Sequence, residues 1–68
     1  MKPRELERLI KAEGWIEAPD LGKGSHRVYR HPARPGIITI PWHARDIPRG
    51  TTHNILKQAG LKQAGFKG

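Results

Sequence analysis

Apolar positions recur along this chain at two different spacings. Leu6, Leu9 and Ile10 follow Pro3 at helical intervals, with Glu5, Glu7, Arg8 and Lys11 on the other side. That pattern predicts an amphipathic helix, opened by Pro3 in its first turn and stopped by Gly14. Trp15-Ile16-Glu17-Ala18 then predicts a short strand that Pro19-Asp20 ends, and Leu21-Gly22-Lys23-Gly24 a flexible turn. Ser25 to Arg30 alternates as a second strand and Ile37 to Ile40 as a third. Between them His31-Pro32-Ala33-Arg34-Pro35-Gly36 carries the proline and glycine of a hairpin loop, so these two strands pair antiparallel. After Pro41 an irregular stretch runs from Trp42 to Arg49. A second helix follows, capped by Gly50 or Thr51, with Thr52, Ile55, Leu56 and Ala59 as its apolar stripe and Gly60 as its stop.

The predicted order is α-β-β-β-α, an α+β fold. Each helix has one apolar side, so both are expected on one face of a three-stranded antiparallel sheet, with the other face open to solvent. At 68 residues the chain is long enough for a single domain, residues 1–68, whose core must be thin. The tail repeats itself once: Lys57-Gln58-Ala59-Gly60-Leu61 is echoed by Lys62-Gln63-Ala64-Gly65-Phe66. Two copies of five residues are too few for a repeat architecture. Phe66 folded onto the core and a frayed 62–68 tail are both open outcomes.

Several classes fall away on composition. No cysteine is present, which removes disulfides and thiolate metal sites. Charges run through the first eight residues, and the longest aliphatic run is Ile37-Ile38, so neither a signal peptide nor a membrane span is expected. The expectation is a soluble cytoplasmic protein. His26 and His31 are five residues apart and would face opposite sides of a continuous strand, with no carboxylate cluster nearby, so no metal or other cofactor is expected.

Charge changes the picture more. Residues 1–20 carry four basic and five acidic side chains, whereas residues 21–68 carry nine basic and one acidic. The net charge of +7 therefore accumulates after the first helix. An excess of this size attracts polyanions, nucleic acid first and acidic protein surfaces second.

The segment Gly24-Ser25-His26-Arg27-Val28-Tyr29-Arg30-His31-Pro32 resembles the Gly-Ser-His-x-x-aromatic-x-x-Pro signature of HicA toxins. Two further features agree: an amphipathic first helix ending in Gly14-Trp15, and Ile40-Pro41-Trp42-His43 leading through Arg49-Gly50-Thr51 to Ile55-Leu56-Lys57-Gln58-Ala59-Gly60-Leu61. The resemblance spans nearly the whole chain. It implies a fold like the double-stranded-RNA-binding domain, an endoribonuclease that cleaves mRNA, a catalytic role for His26, and inhibition by a HicB-type antitoxin. The duplicated tail and the polar Asp20-Leu21-Gly22-Lys23 loop depart from the family pattern.

Strand alternation places His26 independently of that resemblance. If the Tyr29 ring enters the core, His26, Val28 and Arg30 point to the open face, Arg27 lies inward or at the edge, and Thr39 comes opposite. RNA carries its own nucleophile, the 2′-hydroxyl, so cleavage needs only a proton acceptor, a proton donor and cations for the phosphoryl charge. A histidine titrates where either proton role is served near neutral pH. Gly24 permits close backbone approach, Ser25 offers donors, and Lys23, Arg27, Arg30 and Arg45 are the candidate phosphate contacts.

His43, Trp42 and Thr39 are secondary candidates. His31, before Pro32, reads as a hairpin residue and His53 as an exposed helical one, while Trp15 and Trp42 read as packing residues, Trp42 being the better candidate for base stacking. The competing reading is a non-catalytic RNA-binding module, since the same element order serves domains that grip RNA by shape. A DNA-binding role is weaker, because the second helix offers only Arg49 and Lys57 to a groove.

Overall fold

The computed structural model describes residues 1–61. The tail expectations, Phe66 folding back or residues 62–68 fraying, lie outside the described residues. The elements are α1 (Pro3–Ala12), β1 (Ile16–Glu17), a single 3₁₀ turn (Pro19–Leu21), β2 (His26–Arg30), β3 (Ile38–Pro41) and α2 (Arg49–Ala59). The α+β order α-β-β-β-α is the one the hydrophobic pattern predicts.

Helix α1 begins where Pro3 supplies a preset φ and the Glu5 carboxylate accepts the Lys2 backbone N–H. It ends in a Schellman motif: Gly14, at φ 101°, lets its N–H reach the Lys11 carbonyl while the Trp15 N–H reaches that of Ile10. This spends the Trp15 amide on the helix, and the first strand is only Ile16–Glu17 rather than Trp15 to Ala18. Ala18 instead donates its N–H to the Val28 carbonyl at 2.8 Å, and the chain turns through Pro19–Leu21, where a flexible loop was expected only from Leu21.

The sheet runs β1-β2-β3, antiparallel throughout. Tyr29 lies opposite Ile38 and Arg27 opposite Ile40, while Val28 lies opposite Thr39 and His26 opposite Pro41. Side chains directly opposite share a face. Tyr29, Ile38 and Ile40 are buried with Leu6, Ile10 and Trp15 of the first helical unit and Ile55, Leu56 and Ala59 of α2. Both helices therefore cover the Tyr29 face, and His26, Thr39 and Arg30 lie exposed on the other. Val28 shares that second face yet is buried, and the 3₁₀ turn packs against β2 there.

Helix α2 starts two residues earlier than a Gly50 cap would give and three earlier than a Thr51 cap. Extended Pro48 precedes it, its carbonyl accepting the Thr52 N–H, so Gly50 and Thr51 sit inside the first turn. The predicted stripe Thr52, Ile55, Leu56 and Ala59 is buried as read. Ile47, in the irregular stretch, joins the core and was not anticipated; its amide donates to the Met1 carbonyl at 2.7 Å, which turns the side chain inward. No helix among the described residues is long and apolar enough to cross a membrane.

At the centre of the helix-covered face the Tyr29 hydroxyl donates to Glu7 Oε2 at 2.7 Å. Glu7 also lies 3.5 Å from Lys11 Nζ and 3.8 Å from the Arg27 guanidinium. Burial, and then the bond to Glu7, push the Tyr29 phenol well above its ordinary range. The unfolded chain releases this proton near pH ~10 while the folded chain keeps it, so stability falls as pH rises beyond that point. Tyr29→Phe is expected to cost about 1.5–3 kcal/mol at neutral pH, as for loss of a hydrogen bond to a charged group. Urea titrations at pH 8 and pH 11 should also show a smaller alkaline loss in the variant than in the wild type.

Candidate functional site

Two tight turns meet at the His26 end of the sheet. In the first, the His26 N–H donates to the Lys23 carbonyl at 3.0 Å, leaving Gly24 and Ser25 as the two central residues. Gly24 has φ +59°, a conformation the turn requires, and a Cβ there would meet open space. Glycine is thus needed for the backbone path, and it leaves that path uncovered. The Gly24 and Ser25 amides enter no hydrogen bond with the described residues, so both donors remain available to an anion.

The second turn closes β3. The Ala44 N–H donates to the Pro41 carbonyl at 3.1 Å, placing Trp42 and His43 at the turn's centre. The two turns are joined by one bond, from the Trp42 N–H to the Ser25 carbonyl at 2.8 Å. As a result the His26 and His43 rings stand edge to face, their centroids 5.4 Å apart, and both side chains are exposed. Lys23 opens the first turn and Arg45 follows the second in sequence, and both are exposed.

Trp42 goes the other way. Its half-buried ring packs on the edge of the core, and the Arg27 guanidinium lies 3.9 Å from its centroid. Arg27 is thereby held between Trp42 and Glu7 on the helix-covered face, away from His26. Of the other predicted phosphate contacts, Arg30 shares the His26 face but lies four residues along β2, about 13 Å away. There it lies opposite Ile16 of β1. Thr39 is exposed on the same face, opposite Val28. The structure thus gathers Lys23, Gly24, Ser25, His26 and His43 at one end, and separates them from Arg27 and Arg30.

The remaining histidines are built in differently. His31 uses both ring nitrogens: Nδ1 accepts the Ala33 N–H at 2.9 Å, so Nε2 carries the proton and donates to the Glu13 carbonyl at 2.8 Å. Its ring also meets Trp15 edge-on, at 5.2 Å between centroids. His53 is half-buried on α2, where sequence periodicity suggested full exposure.

Sequence reasoning missed the placement of α1's own cations. Residues 1–20 sum to a slight negative charge, but folding sorts them: Glu7 turns inward to Tyr29, and Arg4 and Arg8 stay exposed beside Trp42. Their i, i+4 spacing was the available signal.

A protein-family model described as HicA toxin of bacterial toxin-antitoxin matches residues 3–61. A comparison with curated proteins finds no match to the chain.

If His31 serves structure alone, His31→Phe should lower stability by about 0.5–1.5 kcal/mol in urea, since water can replace the ring at both exposed partners. The ring NMR resonances of His26 and His43 should stay where they are in the wild type.

Proposed function

The chain belongs to the HicA toxin family, the toxins of bacterial toxin-antitoxin pairs, and from that premise we propose that it is a metal-independent endoribonuclease that cleaves mRNA in the cytoplasm at the His26 site. The observation that carries the reading is the pairing of His26 with His43, two exposed imidazoles with ring centroids 5.4 Å apart, at a turn whose Gly24 and Ser25 amides bond to no other described residue.

RNA transesterification moves two protons. One leaves the 2′-hydroxyl as its oxygen bonds to phosphorus, and one reaches the 5′-oxygen as the phosphorus-oxygen bond to it breaks. A single positioned imidazole serves one of these transfers well, and an adjacent pair serves both, one entering neutral and the other protonated. His26 is the catalytic member common to both lines of support, the strand geometry and the family signature. His43 supplies the second proton position.

The charge that builds on the non-bridging phosphoryl oxygens falls beside the Gly24 and Ser25 amides, with Lys23 and Arg45 adding long-range attraction. Fixed backbone donors suit this task because they need no reorganisation as the charge develops. Arg30 and Thr39, further along the same face, are suited to a neighbouring nucleotide rather than to the scissile phosphate.

An active nuclease of this kind requires restraint in its own cell. A HicB-type antitoxin with an acidic surface would complement the exposed cationic turns and exclude RNA from His26.

Cleavage of a labelled RNA in EDTA by wild type, His26→Ala and His43→Ala tests the reading. The wild type should leave a 2′,3′-cyclic phosphate and a 5′-hydroxyl with a bell-shaped pH dependence. Each variant should fall by about 10²–10⁴, and residual His43→Ala activity should lose one limb of the bell. A 3′-hydroxyl product, or undiminished cleavage by His26→Ala, overturns the mechanism. RNA bound but uncut by the wild type makes the protein a binding module.

A further inference from the structure

The groove behind Trp42 has the chemistry of a second RNA site. Lys2, Pro3, Arg4, Glu5 and Arg8 of the α1 end line it together with the Trp42 ring. Arg4 and Arg8 stand one helical turn apart, on the same side of α1. Among the described residues neither pairs with a carboxylate: of the two acids between them, Glu7 is committed to Tyr29, Lys11 and Arg27 on the inner side, and Glu5, which lines the groove, accepts the Lys2 backbone N–H. Like charges at this spacing repel mildly, and a polyanion laid across them relieves that repulsion.

One residue, Trp42, links the groove to the histidine site along the chain. The Trp42 amide is bonded to Ser25 of the first turn, its ring lines the groove, and the next residue is His43. The ring is also held in place, because Arg27 lies against it and is itself anchored by Glu7. A fixed aromatic ring flanked by cations is the arrangement that receives unstacked bases, and a duplex offers none.

We infer that single-stranded RNA runs from the His26–His43 pair across the end of the sheet into this groove, where one base lies against Trp42 and the neighbouring phosphates meet Arg4 and Arg8. This rests on the nuclease reading for what happens at the histidines, but not for the binding itself. The chemistry recognised is a single strand's sugar-phosphate backbone with one splayed base, independent of sequence. An acidic protein segment would satisfy the arginines but not the indole, which is why RNA is the occupant assigned.

The test uses the full chain and a fluorescent 2′-O-methyl decaribonucleotide, which lacks the nucleophile and so stays intact. Arg4→Ala/Arg8→Ala should weaken its binding by on the order of tenfold. The slope of log affinity against log salt should flatten by about 1.4, some 0.7 for each phosphate contact of a single strand. Trp42→Phe should retain more affinity than Trp42→Ala, with circular dichroism confirming that each variant is folded. On a cleavable decamer the arginine pair should raise KM and leave kcat alone, while turnover of a dinucleotide, too short to reach the groove, should not change.

Decamer binding indifferent to Arg4 and Arg8 overturns the inference. So does loss of poly-glutamate binding in the double variant with RNA affinity intact, which assigns the groove to an acidic protein partner. If the decamer binds through these arginines but the wild type cuts no RNA, the groove stands and the nuclease reading falls.

Discussion

Tyr29 can be buried in only one direction, and the rest of the architecture follows from that. Its ring is fully enclosed and its hydroxyl is satisfied by Glu7. An aromatic side chain of this size dominates the pleat of a five-residue strand, because a slip of one residue would exchange the faces of every side chain. With Tyr29 inward, His26 must be outward. The Glu7 carboxylate then does more than accept the phenol's hydrogen bond: alternation puts Arg27 on the same face, where it lies 3.8 Å from Glu7 and against Trp42. One buried phenol thus sets both the exposed face of the candidate site and the placement of the indole behind it.

The site itself owes little to side-chain packing. Two backbone turns create it, one needing glycine at a positive φ and the other ending β3, and their abutment brings together residues distant in sequence. Amide donors held by turns are cheap to maintain in a small protein, since they require no enclosed pocket that a thin core could not support. The cost is exposure. Both imidazoles, Lys23 and Arg45 stand in solvent, where a polyanion can reach them and where an acidic partner can cover them as readily.

Much of this was legible beforehand, for reasons particular to each element. Periodicity recovered both helices because their apolar stripes are clean, and alternation recovered β2 and β3, with Tyr29 and His26 on opposite faces. The boundaries were less accessible. Trp15 reads as a strand residue but gives its amide to the helix terminus, and Pro48 displaces the apparent caps of α2 by supplying an extended residue with a free carbonyl. Ile47 was hidden in a stretch without periodicity. The His26–His43 proximity depends on a turn that returns the chain after β3, and no local pattern encodes it; the sequence offered His43 only as a candidate. Arg27 was assigned to RNA on charge alone, although alternation already turned it inward, where it meets Glu7, twenty residues away.

The molecule is fastened unevenly. At the Arg30 end of β2, His31 bridges to Glu13, Trp15 donates its indole N–H to the Ala59 carbonyl at 3.2 Å, and the last turns of both helices are drawn together. At the His26 end the two turns share the single bond from Trp42 to Ser25. Local opening follows such differences, and weakly tied segments part while the core remains intact. Parting the Trp42 turn from the Ser25 turn would separate the two imidazoles, as a lock is disarmed by shifting one pin.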